Sequence, residues 1–102
     1  MIRLTIQVVG DDGIEEKVFF KRVLDTYDDV DFSALIVDAL HGARAALGLA
    51  SLSLLKAFSP QVCLLLYADG ERLRPVLNFS TEAILALAEA ESSFDFDPYI
   101  YE

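Results

Sequence analysis

Between Phe32 and Leu47 the apolar residues Phe32, Leu35, Ile36, Ala39, Leu40, Ala43 and Leu47 recur at steps of three, one, three, one, three and four. That spacing follows the 3.6-residue turn of an α-helix with one apolar stripe. Such a helix cannot bury its stripe alone, so the rest of the chain has to supply a surface to cover it. Asp31 stands where an N-cap belongs, and Gly48 where a left-handed residue would stop the helix.

The covering surface is written in a different period. Ile2, Leu4, Ile6 and Val8 alternate with Arg3, Thr5 and Gln7, which predicts a strand from about Ile2 to Val9 with one buried face. The turn-forming GDDG at 10–13 leads into Ile14 to Leu24, where alternation is imperfect through Lys17, Val18, Phe19, Phe20 and Lys21, and the two runs predict a β-hairpin. After the helix, LASLSLLKAFSP reads as a short second helix or an irregular apolar segment ending before Pro60. QVCLLLYADG is apolar on both faces, as a central strand is.

Leu73 to Phe79 alternates again, with Pro75 marking an edge strand or a bulge. Ser80 or Thr81 caps a further helix, with Glu82 in its first turn and Ile84, Leu85, Leu87 and Ala88 as its expected buried face, ended by Ser92 and Ser93. In the closing FDFDPYIYE, Phe94, Phe96 and Ile100 share one parity, with Pro98 among them, while Asp95, Asp97, Tyr99 and Tyr101 share the other. Aromatics at this density oppose disorder, so the segment is expected to be a last strand. The predicted fold is α+β, β-β-α-(α)-β-β-α-β: a mostly antiparallel sheet of about five strands with two main helices on one face, in one domain spanning 1–102.

The net charge of −9 disfavours phosphate contacts and so argues against nucleic acid as a partner. Its distribution is uneven. Segments 1–24, 25–48, 49–79 and 80–102 sum to 0, −4, +1 and −6, which places the acidity on the Asp-rich turn with its helix and on the C-terminal segment. A hydrophobic content of 54% leaves apolar surface for a partner or a second copy, while charges interrupt every candidate membrane span, so a soluble chain without a membrane partner is expected. No secretory leader pattern begins at Met1, and a single cysteine, Cys63, fits a reducing cytoplasm.

Residues that bear chemistry fall into no catalytic or metal-binding pattern. An EF-hand loop started at Asp25 meets Tyr27 at its third position, and one started at Asp29 meets Ala34 at its sixth and Leu40 at its twelfth. His41 lies off the apolar stripe, three residues from Asp38 and three from Arg44, and Cys63 sits in an apolar run. No glycine pattern suits a nucleotide, and Asp95 and Asp97 read as a solvated pair on a strand. The expectation is a non-enzyme with no cofactor and no metal.

The block LNFSTEAILALAEAESSFDFDPYIY, through Leu77, Phe79, Ser80, Leu87, Ala88, Phe94, Asp95, Asp97 and Tyr99, resembles the C-terminal end of a family of small bacterial domains of unknown function. The match covers about a quarter of the chain, and Pro98 departs from the family pattern by interrupting its last aspartate–tyrosine step. Such domains are often encoded beside polymorphic toxins and are regarded as candidate immunity proteins. The resemblance implies a small acidic inhibitor that occludes a partner, and the charge map independently suggests a protein with a basic surface, a toxin or another enzyme. The expected contact residues are Asp25, Asp28, Asp29 and Asp31 of the Asp-rich turn with Asp95, Asp97, Tyr99 and Tyr101 of the last strand. Two alternatives remain open at this point. One is a homo-oligomer, for instance a dimer, built through an edge strand and the leucines of 47–58; the other is a small-molecule pocket near His41, Cys63 and Tyr67.

Overall fold

Four strands and two α-helices account for most of the 2–26, 30–69 and 77–101 that the computed structural model describes; at 69 and 99–101 it describes the backbone alone. In chain order they are β1 (Arg3–Asp11), β2 (Glu16–Leu24), α1 (Phe32–Ala46), a 3-10 helix (Leu52–Phe58), β3 (Gln61–Asp69), α2 (Thr81–Glu89) and β4 (Ser93–Tyr101). The class is α+β, as the alternating periods predict.

The sheet order is β2-β1-β3-β4, with β1 antiparallel to both neighbours and β3 parallel to β4. The sheet is therefore mixed. A parallel neighbour needs a crossover connection, and α2 lies in the one between β3 and β4. Of the expected strand Leu73 to Phe79, 73–76 lie outside the described residues; Leu77 to Phe79 are irregular and lead into the Ser80 cap. The described sheet thus has four strands where about five were expected.

Even-numbered residues of the two central strands make the core. Leu4, Ile6 and Val8 of β1 and Val62, Leu64, Leu66 and Ala68 of β3 are buried in one cluster with Leu35, Ile36, Ala39, Leu40 and Ala43 of α1. Each large aliphatic side chain removed from water in this way contributes roughly 1.5–3 kcal/mol. Leu52 and Leu55 of the 3-10 helix join the same cluster, and Leu47 and Leu49 pack against it, so most of the leucines in 47–58 serve the chain's own core.

Local chemistry fixes where the elements begin and end. Asp11 and Asp12 make the hairpin turn, accepting from the amides of Gly13 at 2.7 Å and Ile14 at 2.9 Å, with Gly13 at φ +94°. Asp31 caps α1 by accepting from Ala34 N at 3.0 Å, and Ser80 caps α2 by accepting from Ala83 N at 3.1 Å. The two helices close alike. Beyond α1, Gly48 takes φ +68° while Leu49 N donates to Arg44 O; beyond α2, Glu91 takes φ +50° while Ser92 N donates to Leu87 O. This is a Schellman closure, which favours glycine at the left-handed position.

The imperfect alternation in β2 has a structural cause. The register pairs Val8 with Phe20 but Val9 with Val18, leaving Phe19 as the extra residue of a β-bulge. The bulge lets consecutive phenylalanines both pack inward: Phe19 meets Phe58 edge-on at 5.6 Å, and Phe20 lies against Gly42 of α1.

α2 packs differently from expectation. Ala83 and Ala86 are buried and Leu87 is partly so, whereas Ile84, Leu85 and Ala88 are exposed. Ala83 to Ala88 are apolar without a break, so periodicity did not single out a face, and small side chains let the helix approach α1 closely. Buried Ser33 of α1 ties the approach to α2 in place, donating to Asn78 O at 2.9 Å and accepting from Ser80 N at 2.8 Å.

Candidate docking face

With both helices on the side of Leu4, Ile6 and Val8, the odd-numbered residues of β1 point the other way. The strand registers lay that second face out in rows. One runs Lys21, Gln7, Cys63, Asp95 from β2 to β4; the next runs Val23, Thr5, Leu65, Asp97. No described element covers these rows.

The face is not evenly polar. Val18 and Val23 of β2 are exposed at 54% and 52%, Cys63, Leu65 and Tyr67 of β3 are half-buried, and Thr5 is buried between its neighbours. Arg3 lies over the Tyr67 ring at 5.0 Å from its centroid, a cation–π contact. Arg3, Gln7, Lys21 and Leu65 are among the residues around a shallow depression of about 250 Å³. A larger one of about 500 Å³ opens at the end of the sheet, between Ile2, Arg3, Val23, Leu24 and Asp25.

Along the middle rows charge is sorted by strand. Arg3 and Lys21 stand on β1 and β2, Asp95 and Asp97 on β4, and no ion pair joins them among the described residues. The carboxylate field reaches the middle of the sheet. Partial burial pushes the Cys63 thiol above its ordinary pKa, and Asp95, Asp97 and Glu16 push it further in the same direction. A thiol so placed is held in its neutral form, the opposite of what a nucleophile needs.

The sequence-selected contact residues separate into groups. Asp95 and Asp97 share the open face, on the parity opposite Phe94 and Phe96, which pack against the core. The backbones of Tyr99 and Tyr101 continue β4 beside Tyr67 and Asp69. Asp25 follows β2 at the other edge of the sheet, three strand spacings away, and Asp31 is engaged as the α1 cap. Asp28 and Asp29 lie outside the described residues. Lys21, Arg3 and Leu65 were missed as members of the same face. The alternation of Arg3, Thr5 and Gln7 marked its polar side, but the bulge in β2 hid which residues stand beside them.

His41 and Cys63 do not meet: His41 is exposed on α1, where its Nδ1 accepts from Arg44 Nε at 3.3 Å, and Cys63 is on the far face of the sheet. Tyr67 shares the face of Cys63, so no pocket between helix and sheet joins the three residues. Among the described residues no three His, Cys, Asp or Glu side chains are grouped to hold a metal ion, and no helix is long and apolar enough to cross a membrane. The chain matches no family model, no curated protein and no solved structure.

Proposed function

We propose that the chain is a protein-binding module, an inhibitor of the immunity-protein kind, that works in the cytoplasm by laying the β3–β4 half of its open sheet face on a basic surface of a toxin or other enzyme. One observation carries this most directly: Asp95 and Asp97 stand beside half-buried Cys63 and Leu65 on a face with no covering element among the described residues. Apolar area flanked by carboxylates is the composition of a docking surface, in which the apolar part provides affinity and the charges steer encounter. An inhibitor acts by occupying space, so this reading assigns no residue a catalytic role and requires no cofactor.

The test is a pull-down from lysate of the source at low salt, with bound proteins eluted by rising salt, run in parallel with the Asp95→Asn/Asp97→Asn protein. A basic enzyme or toxin retained by the native chain, inhibited by it in solution and lost with the double variant at unchanged melting temperature, supports the proposal. Equal retention by both proteins, or capture without inhibition, refutes it.

A further inference from the structure

Arg3 and Lys21, on the β1–β2 half of the open face, suit an acidic surface rather than a basic one, and their geometry points to a second occupant. We propose that, before a partner arrives, a second copy of the chain covers this face in a two-fold, face-to-face dimer, with Lys21 of each copy set against Asp95 of the other. The inference rests on the open face being the docking surface, and it adds how that surface is kept until it is used.

Register and charge suggest this occupant together. A two-fold axis parallel to the strands, between β1 and β3, reverses every row of the face. The row Lys21, Gln7, Cys63, Asp95 then meets itself as Asp95, Cys63, Gln7, Lys21, so both basic ends face acidic ends. In the next row Leu65 of each copy falls on Thr5 of the other, and Val23 on the stem of Asp97. Arg3, already over its own Tyr67, comes to lie near the same ring of the second copy.

Among the described residues neither Lys21 nor Asp95 is paired within the chain. Lys21 and Asp95 are separated by Gln7 and Cys63 along the row, a gap of about 14 Å that neither side chain bridges. Of the other carboxylates on this side, Asp11 and Glu16 are register neighbours at the hairpin end, beyond the Val9, Gln61 and Ser93 row where β4 begins, and Asp25 stands at the opposite end of the sheet beside Arg3, so the overlap does not set these groups against their own copies.

The size of the face fits a reversible dimer. Four strands of nine residues span roughly 19 Å by 30 Å, nearly 600 Å² in plan before side-chain relief is counted. A standard interface buries about 800 Å² per partner, so the contact reaches the lower part of that range and stays weak enough for a better-matched surface to displace it. Two sheets packed in this way also satisfy the aligned arrangement of a β-sandwich.

Charge reversal tests the pairing. Sedimentation of the native chain from about 1 to 300 μM should show conversion from one chain of 11.3 kDa to two, shifted toward one chain by high salt. Lys21→Glu and Asp95→Lys should each weaken the dimer tenfold or more, since each puts like charges in contact. Mixing the two variants should restore a heterodimer, in which Glu meets Lys at one site and the native pair forms at the other. Both positions are exposed, and unchanged melting curves confirm folding of each variant. A single-chain mass throughout, or a dimer indifferent to both reversals, overturns the inference. A single-chain protein that still captures and inhibits a basic partner would overturn the dimer alone and leave the proposed function standing. A dimer obeying the charge swaps but never yielding to a partner would do the reverse.

Discussion

Gly42 sits in α1 directly beneath the Phe20 ring, and replacing it by alanine sets two known effects against each other. Alanine is the better helix former by up to about 1 kcal/mol. Its Cβ, however, would stand 2.3, 2.5 and 3.2 Å from Phe20 ring carbons. Carbon atoms pack at about 3.5–4.0 Å, so the ring would have to withdraw by more than ~1 Å. Phe20 is only half-buried, but the bulge and the adjacent Phe19 contact limit where it can go. Overpacking of this kind costs about 1–3 kcal/mol. The net expectation for Gly42→Ala is a loss of up to ~2 kcal/mol, and each 1 kcal/mol corresponds to about 4–8 °C in Tm for a domain of this size. The decisive assay is a double-mutant cycle by denaturant unfolding, with Gly42→Ala made in the native chain and in Phe20→Ala. With the ring gone, the same substitution should become neutral or stabilising, giving a coupling of about 1–3 kcal/mol. Equal effects in both backgrounds, within roughly 0.5 kcal/mol, would show that the ring does not bear on α1 and that β2 is held in some other way.

Two further outcomes are expected. Glu91→Gly should raise stability by about 1 kcal/mol, because glycine relieves the left-handed conformation at φ +50° that closes α2; an unchanged or lower Tm would refute that closure. Asp12 is held well below the usual carboxylate range, chiefly by its hydrogen bond with Lys17 at 2.7 Å and then by the backbone amides of Glu15 and Ile14. A carboxyl whose folded pKa is lowered stabilises the fold above its unfolded pKa of about 3.9 and loses that contribution as pH falls toward the folded value. The stability gap between the native chain and Asp12→Asn should therefore be present at pH 5 and narrow below pH 4, and a gap constant from pH 6 to pH 2 would contradict the assignment.

What the sequence disclosed depended on whether local chemistry or a distant neighbour set the answer. Asp31 and Gly48 bound α1 because capping and left-handed closure act within a few residues, and both stand where the pattern put them. The parity of Phe94 to Asp97 was equally readable, since alternation is a property of the strand itself. That β4 runs parallel to β3 was not readable, because parity is the same for either direction. Nor did alternation reveal that Asp25 and Asp95 belong to opposite edges, which follows from a strand order different from chain order. The bulge at Phe19 blurred β2 for the same reason: its inward pair is fixed by Phe58 and Gly42, far along the chain. On α2 the pattern misled outright, as Ile84 and Leu85 fit an apolar face that the close Ala83 and Ala86 contact turned outward.

β3 presents an uninterrupted apolar run from Val62 to Leu66, with β1 along one side and β4 along the other. Left uncovered, such a strand is a template for intermolecular pairing and cross-β growth. β4 replaces that edge with one bearing Asp95 and Asp97, interrupted by Pro98, whose ring nitrogen has no hydrogen to give to another strand. The acids and the proline thus act as gatekeepers against aggregation whatever partner they meet. Substitutions that peel β4 away would therefore be expected to show first as insolubility during synthesis, before any loss of binding could be measured.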